Sequence, residues 1–396
     1  MTRIVILGGG TTGLLAAQGL AEIAREDEQI TLVAERAEFR AAPGTSWISA
    51  RSCAHFDLAQ TLQRKGVGFS AAGAKRLHPE RNQLELGDGG FLGYDIVLIA
   101  AGPQPAFDEV AGLGPAGYTQ SLCHADHLTD CVRAWDRLLA DPGPVIVGAV
   151  QGASCFAPAY ESALRIDAEL RRHGLREAAP ITFVTPEPFL GDLGVGGIDD
   201  SQARLERAFA SRKIAWIERA RVDRVQNGTM HVRRLDPQGA CTGRYALRFH
   251  YSMMMPPFRG IAAVAGIQGL ADEHGFIVVD ETLRNPRYRN LYAAGATVAA
   301  GKSAQSHPHK SAYIIDGMVD AVLHNIREQL DGREPVTRPS WSAAHLADLG
   351  SAGLSFIADP HGTLAPQHGV GAADWVHMSR CAACDIGQAT QPIGLR

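Results

Sequence analysis

Ile4-Val5-Ile6-Leu7-Gly8-Gly9-Gly10-Thr11-Thr12-Gly13-Leu14-Leu15-Ala16-Ala17 reads as a short apolar strand that turns through glycines into an alanine- and leucine-rich helix. The strand is predicted over Arg3–Leu7, the helix from about Thr12 to Arg25, and a second strand over Gln29–Ala34, which makes a βαβ unit. Gly8, Gly10 and Gly13 satisfy GxGxxG in the place where that spacing has a mechanical meaning. The first glycine makes the turn, the second lets a pyrophosphate reach the backbone, and the third lets helix and strand pack closely. The N-terminus of the helix then faces the phosphates. Glu35 closes the second strand, where a carboxylate accepts hydrogen bonds from a ribose diol.

Outward from this unit, Asp95–Ala101 reads as another apolar strand that stops at Gly102-Pro103. After Asp141-Pro142-Gly143-Pro144 the pattern recurs, with a strand at Val145–Gly148, a glycine turn, a helix from about Pro158 to Arg172 and a strand at Ile181–Thr185. Asn290–Ala294 is a further short strand ending at Gly295, and Lys310–Leu330 reads as a long helix that stops at Asp331-Gly332. From Pro335 onward periodicity fades, as expected of a separate cap or arm.

Composition sets the outer limits. A chain of 396 residues is expected to form two or three modules. Its net charge of −4 argues against nucleic acid as a partner, since such affinity comes from neutralising phosphates. The 43 glycines suit an α/β fold with many tight strand-to-helix turns. Seven dispersed cysteines are not the framework of a small disulfide-bonded domain. No apolar run approaches the roughly 18 residues of a membrane span. The chain opens Met1-Thr2-Arg3 without a leader pattern, so a cytoplasmic location is expected.

The second glycine turn reads Gly148-Ala149-Val150-Gln151-Gly152-Ala153-Ser154-Cys155-Phe156. Val150 replaces the glycine that should admit a pyrophosphate, and its side chain is expected to obstruct NAD(P)H. Cys155 opens the next helix, where the macrodipole is expected to stabilise a thiolate. The competing reading is a buried small hydrophobe. Cys53, Cys131 and Cys241 fit no motif and are read as packing residues.

An N-terminal fingerprint, a second βαβ unit near residue 145 and a return strand at Gly295 resemble the two-dinucleotide-domain flavoproteins of the pyridine nucleotide-disulfide oxidoreductase superfamily. Within it, Gly152-Ala153-Ser154-Cys155-Phe156-Ala157-Pro158-Ala159-Tyr160-Glu161 looks like the signature of the sulfide:quinone oxidoreductases. Gln120-Ser121-Leu122-Cys123, with Asp126-His127 after it, resembles that family's segment with its first functional cysteine. Met253-Met254-Met255-Pro256-Pro257-Phe258-Arg259-Gly260 is similar to its apolar wall, and Pro308-His309-Lys310-Ser311-Ala312-Tyr313 to the start of its helix under the flavin ring. The wider family includes the flavoprotein subunits of flavocytochrome c sulfide dehydrogenases.

The resemblance implies an α/β fold of two Rossmann-like dinucleotide-binding domains, over 1–115 with 285–332 and over 116–284, plus a C-terminal cap or arm over 333–396. It implies FAD held at Gly8, Gly10, Gly13, Glu35, Gly102 and Gly295, with no metal. Sulfide or another small sulfur species is the implied substrate, attacking a disulfide or persulfide at Cys155, with two electrons passing through FAD to a quinone. Met253–Phe258 would wall the quinone site. Cys123 or the tail pair Cys381 and Cys384 would have to serve as partner thiol, Lys310, beside His309, would stabilise charge on the flavin, and Glu161 would exchange protons with sulfur. His124, His127 and His345 are read as histidines that could titrate near neutrality or serve structurally.

The family pattern also breaks. The return strand ends Ala294-Gly295-Ala296 where the superfamily usually has Gly-Asp, so the ribityl contact must come from backbone or water. In Trp341-Ser342-Ala343-Ala344-His345-Leu346-Ala347-Asp348-Leu349-Gly350, His345 stands where the family places a second essential thiol. The short tail after Trp375 leaves little room for membrane-seating helices, so at most peripheral contact is expected. Cys381-Ala382-Ala383-Cys384 could supply a replacement thiol, could join His377 as metal ligands, or could be incidental. Asp385 stands where c-type haem attachment needs His. Two alternatives stay open: a flavoprotein donating to a protein acceptor such as cytochrome c, and a flavin-binding subunit or sensor without sulfide turnover.

Overall fold

Five parallel strands carry the first glycine turn, and four more carry the second. The computed structural model of the chain describes residues 1–41, 48, 55–194, 196–197, 200–299 and 314–339, and the backbone alone of 312–313, 343–348 and 353–358. In chain order the elements that position the site are β1 (Thr2–Leu7), α1 (Thr11–Ile23), β2 (Glu28–Val33), β3 (Gly68–Ser70), β4 (Ile96–Ile99), β5 (Val145–Ala149), α2 (Ala157–Arg172), β6 (Ile181–Val184), β7 (Ile214–Ile217), β8 (Tyr251–Met255), β9 (Leu291–Ala293) and α3 (Ala312–Leu330). The expected strands and helices lie within a few residues of these bounds.

The first sheet runs β9-β4-β1-β2-β3 and the second β7-β6-β5-β8, with every neighbouring pair parallel. β1 and β4 are apolar along their length rather than alternating because both faces of a parallel sheet are covered. Ile4, Ile6, Val97 and Leu98 are at most 1 % exposed. The first core joins residues of 4–100 with residues of 264–326, so the chain leaves this unit and returns to it. Gly19 lets α1 and α3 approach closely, since a Cβ there would lie 2.3 Å from Leu323 Cδ1.

Outgoing and returning segments meet in a two-residue antiparallel pairing, Gln104 opposite Arg259 and Pro105 opposite Phe258. That pairing brings the two glycine turns toward one another. Two antiparallel sheets of three strands, Ala74–His78 with Gln83–Leu86 and Phe91–Gly93, and Ala220–Gln226 with Thr229–Leu235 and Cys241–Arg248, complete the two units. In the C-terminal region Ala343–Asp348 and Gly353–Ala358 form a hairpin with His345 opposite Phe356, and its first strand runs beside α2 and α3. The fold class is α/β with two Rossmann-type units.

Cys131 is fully buried, as a packing residue should be. Cys241 is corrected: it stands exposed on the edge strand of its antiparallel sheet. Cys53 lies outside the described residues.

Candidate active site

A cavity of about 890 Å³ lies between the two units. Its wall takes Gly8, Gly10 and Thr12 from the first turn, Glu35 and Arg36 from the end of β2, and Gly102 from the end of β4. Cys123, Gly152, Ser154 and Cys155 come from the second unit, with Pro257, Phe258 and Ala296 from the returning chain. The size falls within the roughly 300–1,000 Å³ of ligand clefts. A depression of about 270 Å³ lined by Trp216, Ile217, Glu218, Arg234 and Tyr245 shares no residue with it.

The glycines of the first turn divide the work as their spacing requires. A Cβ on Gly8, whose φ is +127°, would stand 2.5 Å from the Ala101 nitrogen, and one on Gly13 would stand 1.8 Å from the Gly8 carbonyl oxygen. Gly13 therefore lets α1 sit on β1 and does not face the cavity. A Cβ on Gly10 or on Gly102 would meet nothing within 4 Å. Those two glycines are bare toward the cavity, and α1 starts beside them with no side-chain cap and no acidic residue in its first turn. Its first N–H groups are thus available to an anion. This is a cradle that a side chain would fill, and it fits the pyrophosphate of a dinucleotide. Gly295, at φ +79°, is pressed against Thr12, which rather than Gly295 reaches the cavity.

Glu35 is an exposed residue of the cavity rim. Beside it, Arg36 donates from Nη1 to Asp126 Oδ1 at 2.6 Å and from Nη2 to Asp126 Oδ2. Asp126 thus pairs with Arg36, and the arginine holds its carboxyl below the ordinary range. The ion pair straps the Cys123 segment to the end of β2. His127 is half-buried with the Phe107 ring 5.7 Å away, and burial, then His124, lowers its pKa.

The second turn is built differently from expectation. Val150 is fully buried and packs with Ile146, Val184 and Met254, so its side chain does not stand in the cradle. Gln151 takes up the polar capacity there instead. Its Nε2 donates to Val222 O at 3.0 Å, and its Oε1 accepts from Val222 N at 2.9 Å. The turn is tied to the antiparallel sheet, and Gly152, at φ +80°, presents its backbone to the common cavity.

Cys155 and Cys123 both line that cavity. Burial works against the expected thiolate, although both cysteines keep partial exposure. Burial pushes the Cys155 thiol up to about 12, with the charges of Cys123 and Glu161 adding to it. Burial likewise raises Cys123 to about 11, against a hydrogen bond from Ser121. Cys155 precedes α2 by two residues, and in a desolvated wall the terminal dipole is outweighed. Glu161 is 9 % exposed on α2, close enough for its charge to act on Cys155 but not in the cavity wall. Met253, Met254 and Met255 are also corrected: they are at most 4 % exposed in β8, and Pro257 and Phe258 alone of that apolar stretch face the cavity. Lys310, His309, Cys381, Cys384 and the His345 side chain lie outside the described residues.

No family model matches the chain. It is 31% identical over 370 residues to the sulfide-quinone reductase of Aquifex aeolicus, covering 90% of this chain and 84% of that protein. The chain belongs to the sulfide:quinone oxidoreductase family. It is an oxidoreductase acting on sulfur compounds. The crystal structure of the Aquifex aeolicus sulfide:quinone oxidoreductase superimposes with a TM-score of 0.88 over 99% of this chain and 92% of that one, at 28% identity. The mitochondrial sulfide:quinone oxidoreductase of Dictyostelium discoideum is 22% identical over 366 residues, 88% of this chain and 78% of the relative. Family membership alone would be read from the motif around Cys155. The Arg36–Asp126 strap, the Gln151 clamp and the cavity faces of Pro257 and Phe258 carry no comparable signal in the sequence.

Proposed function

We propose that the chain oxidises sulfide at Cys155 and passes two electrons through FAD to a quinone. The observation that carries this reading is that Cys155 and Cys123 share one cavity wall with Gly10 and Gly102, the glycines bare toward it. Gly8, Gly10, Thr12, Glu35 and Gly102 would hold FAD, with Gly13 and Gly295 shaping the cradle from behind. FAD, when bound, accepts the electron pair from sulfur and gives it to the acceptor.

Cys155 supplies the sulfur chemistry. Its thiol and HS⁻ become a persulfide on Cys155, one proton and two electrons, and the quinone takes up the two electrons with that proton and one more from solvent. The thiol must lose its proton in a wall that disfavours charge, so Glu161 behind it is assigned to receive or relay that proton. Cys123 is the nearest family-matched thiol left to exchange the bound sulfur. Pro257 and Phe258, beside Gly152 in the same cavity lining, exclude water there. Among the described residues no helix is long and apolar enough to cross a membrane, and we place the chain in the cytoplasm with at most peripheral membrane contact.

The test is acceptor choice by sulfide-reduced protein: a short-chain quinone should reoxidise it rapidly and cytochrome c slowly. The reverse order would favour a flavoprotein that donates to a protein acceptor.

A further inference from the structure

Glu187 is a carboxyl group 3 % exposed, beyond the end of β6 and outside the cavity wall. Three donors converge on it. Tyr160 Oη donates to Oε2 at 2.7 Å, the Thr185 hydroxyl donates to the same oxygen, and Leu193 N–H donates to Oε1 at 2.6 Å. The Tyr160 hydroxyl in turn accepts from Gly191 N–H at 2.8 Å. One buried carboxylate thus joins α2, which starts just after Cys155, to the turn Phe189–Gly194.

We propose that Glu187 is a positioning residue for Cys155, holding this turn against the start of α2 so that Phe156 and the neighbouring thiol keep their place in the cavity wall. The proposal rests on the reading that Cys155 takes the sulfur. Leu193 is held at φ +58°, a left-handed conformation that a branched side chain adopts at a cost and keeps only when its surroundings fix it. The Glu187 bond to its N–H is such a constraint. Gly194 follows, so close beneath Phe156 that a Cβ there would lie 3.2 Å from the ring. Phe156 is 7 % exposed and precedes the first residue of α2, accepting from Ala159 N–H at 2.9 Å. The chain of contacts therefore runs from Glu187 through Leu193 and Gly194 to Phe156, and from Glu187 through Tyr160 back along the same helix.

A buried carboxylate that served only to stabilise the second unit would lower the melting temperature when altered and leave chemistry in the folded protein untouched. A positioning residue would change both the turn and the thiol. Tyr160→Phe removes one hydroxyl at constant ring volume, leaving Gly191 N–H without its acceptor and Glu187 short of a donor. Glu187→Gln keeps the volume but offers one accepting oxygen to three donors.

The experiment uses full-length, flavin-loaded protein well below its melting temperature. It reads hydrogen exchange at Gly191 and Leu193, the alkylation rate of reduced Cys155 by iodoacetamide, and the limiting rate and half-saturating concentration for flavin bleaching by sulfide. In both variants exchange should speed by about tenfold, alkylation should change at least about fivefold, and the limiting bleaching rate should fall about tenfold with the half-saturating concentration little moved. Should Glu187→Gln fail to fold, Tyr160→Phe decides alone. Alkylation and limiting rate both within twofold of wild type would overturn the proposal, whatever exchange does. If sulfide does not bleach even the wild-type flavin, the proposed function falls, and the alkylation and exchange measurements still decide the role of Glu187.

Discussion

Cys123 stands close enough to Cys155 that a negative charge on its sulfur raises the Cys155 pKa, in a wall that already disfavours thiolates. At neutral pH the reduced pair is therefore expected to be protonated. Alkylation of reduced Cys155 by iodoacetamide should be slow at pH 7 and rise about tenfold per pH unit until the pH nears about 12, because only the thiolate reacts. A rate that levels off below pH 8 would show that the helix terminus prevails over burial.

Gly10 and Gly13 should fail in different ways. A Cβ on Gly10 meets no protein atom within 4 Å, so Gly10→Val should fold with a melting temperature near wild type and purify colourless. Gly13→Val drives its Cβ into the Gly8 carbonyl oxygen and should lose several kcal/mol of stability, on the order of an overpacked core site. Flavin absorbance and thermal melts separate the two. A yellow, fully loaded Gly10→Val protein would remove the first turn as the FAD site.

Glu187 gives a stability effect with a definite sign. Burial first, then the charge of Asp192, raises its pKa to about 7 against hydrogen bonds that lower it. The folded state thus binds the proton more tightly than the unfolded chain does. Its contribution is present below the ordinary carboxylate pKa and is lost as pH rises to about 7. Relative to Glu187→Gln, wild type should lose roughly 2–3 kcal/mol of stability between pH 5 and pH 8. Urea unfolding of both proteins across that range is the check, and a constant difference would contradict it.

NADH should remain a poor reductant because the second turn, which Gln151 ties to Val222, lacks the GxGxxG spacing of a pyrophosphate cradle. Gln151→Ala removes both bonds and should cost about 1–3 kcal/mol through the backbone groups it strands. Bleaching of the wild-type flavin by micromolar NADH would contradict this reading.

Both βαβ units were legible because parallel strands buried on two faces leave continuous apolar runs, as in Ile96–Ile99, and because glycine spacing at Gly8–Gly13 encodes close approach. Cavity-facing Cys155 and Cys123 followed from motif resemblance. Direction did not follow. Val150 and the methionines of β8 look like pocket walls in sequence, but strand alternation and turn geometry send them into the cores. The thiol environment was not legible for a related reason: proximity to a helix start is written in the sequence, whereas desolvation depends on how the residue packs against the core in three dimensions. The antiparallel sheets at 74–93 and 220–248 went unread because their strands are short or carry interspersed arginines.

The most direct measurement is an anaerobic sulfide titration of the flavin spectrum for wild type and Cys155→Ser, both loaded with FAD. A serine hydroxyl nearly preserves volume but is a poor nucleophile at neutral pH. Stoichiometric bleaching of the oxidised-flavin absorbance should occur in wild type and be absent in Cys155→Ser at equal FAD occupancy. Bleaching of Cys155→Ser at the wild-type rate would contradict the assignment of Cys155 as the sulfur acceptor.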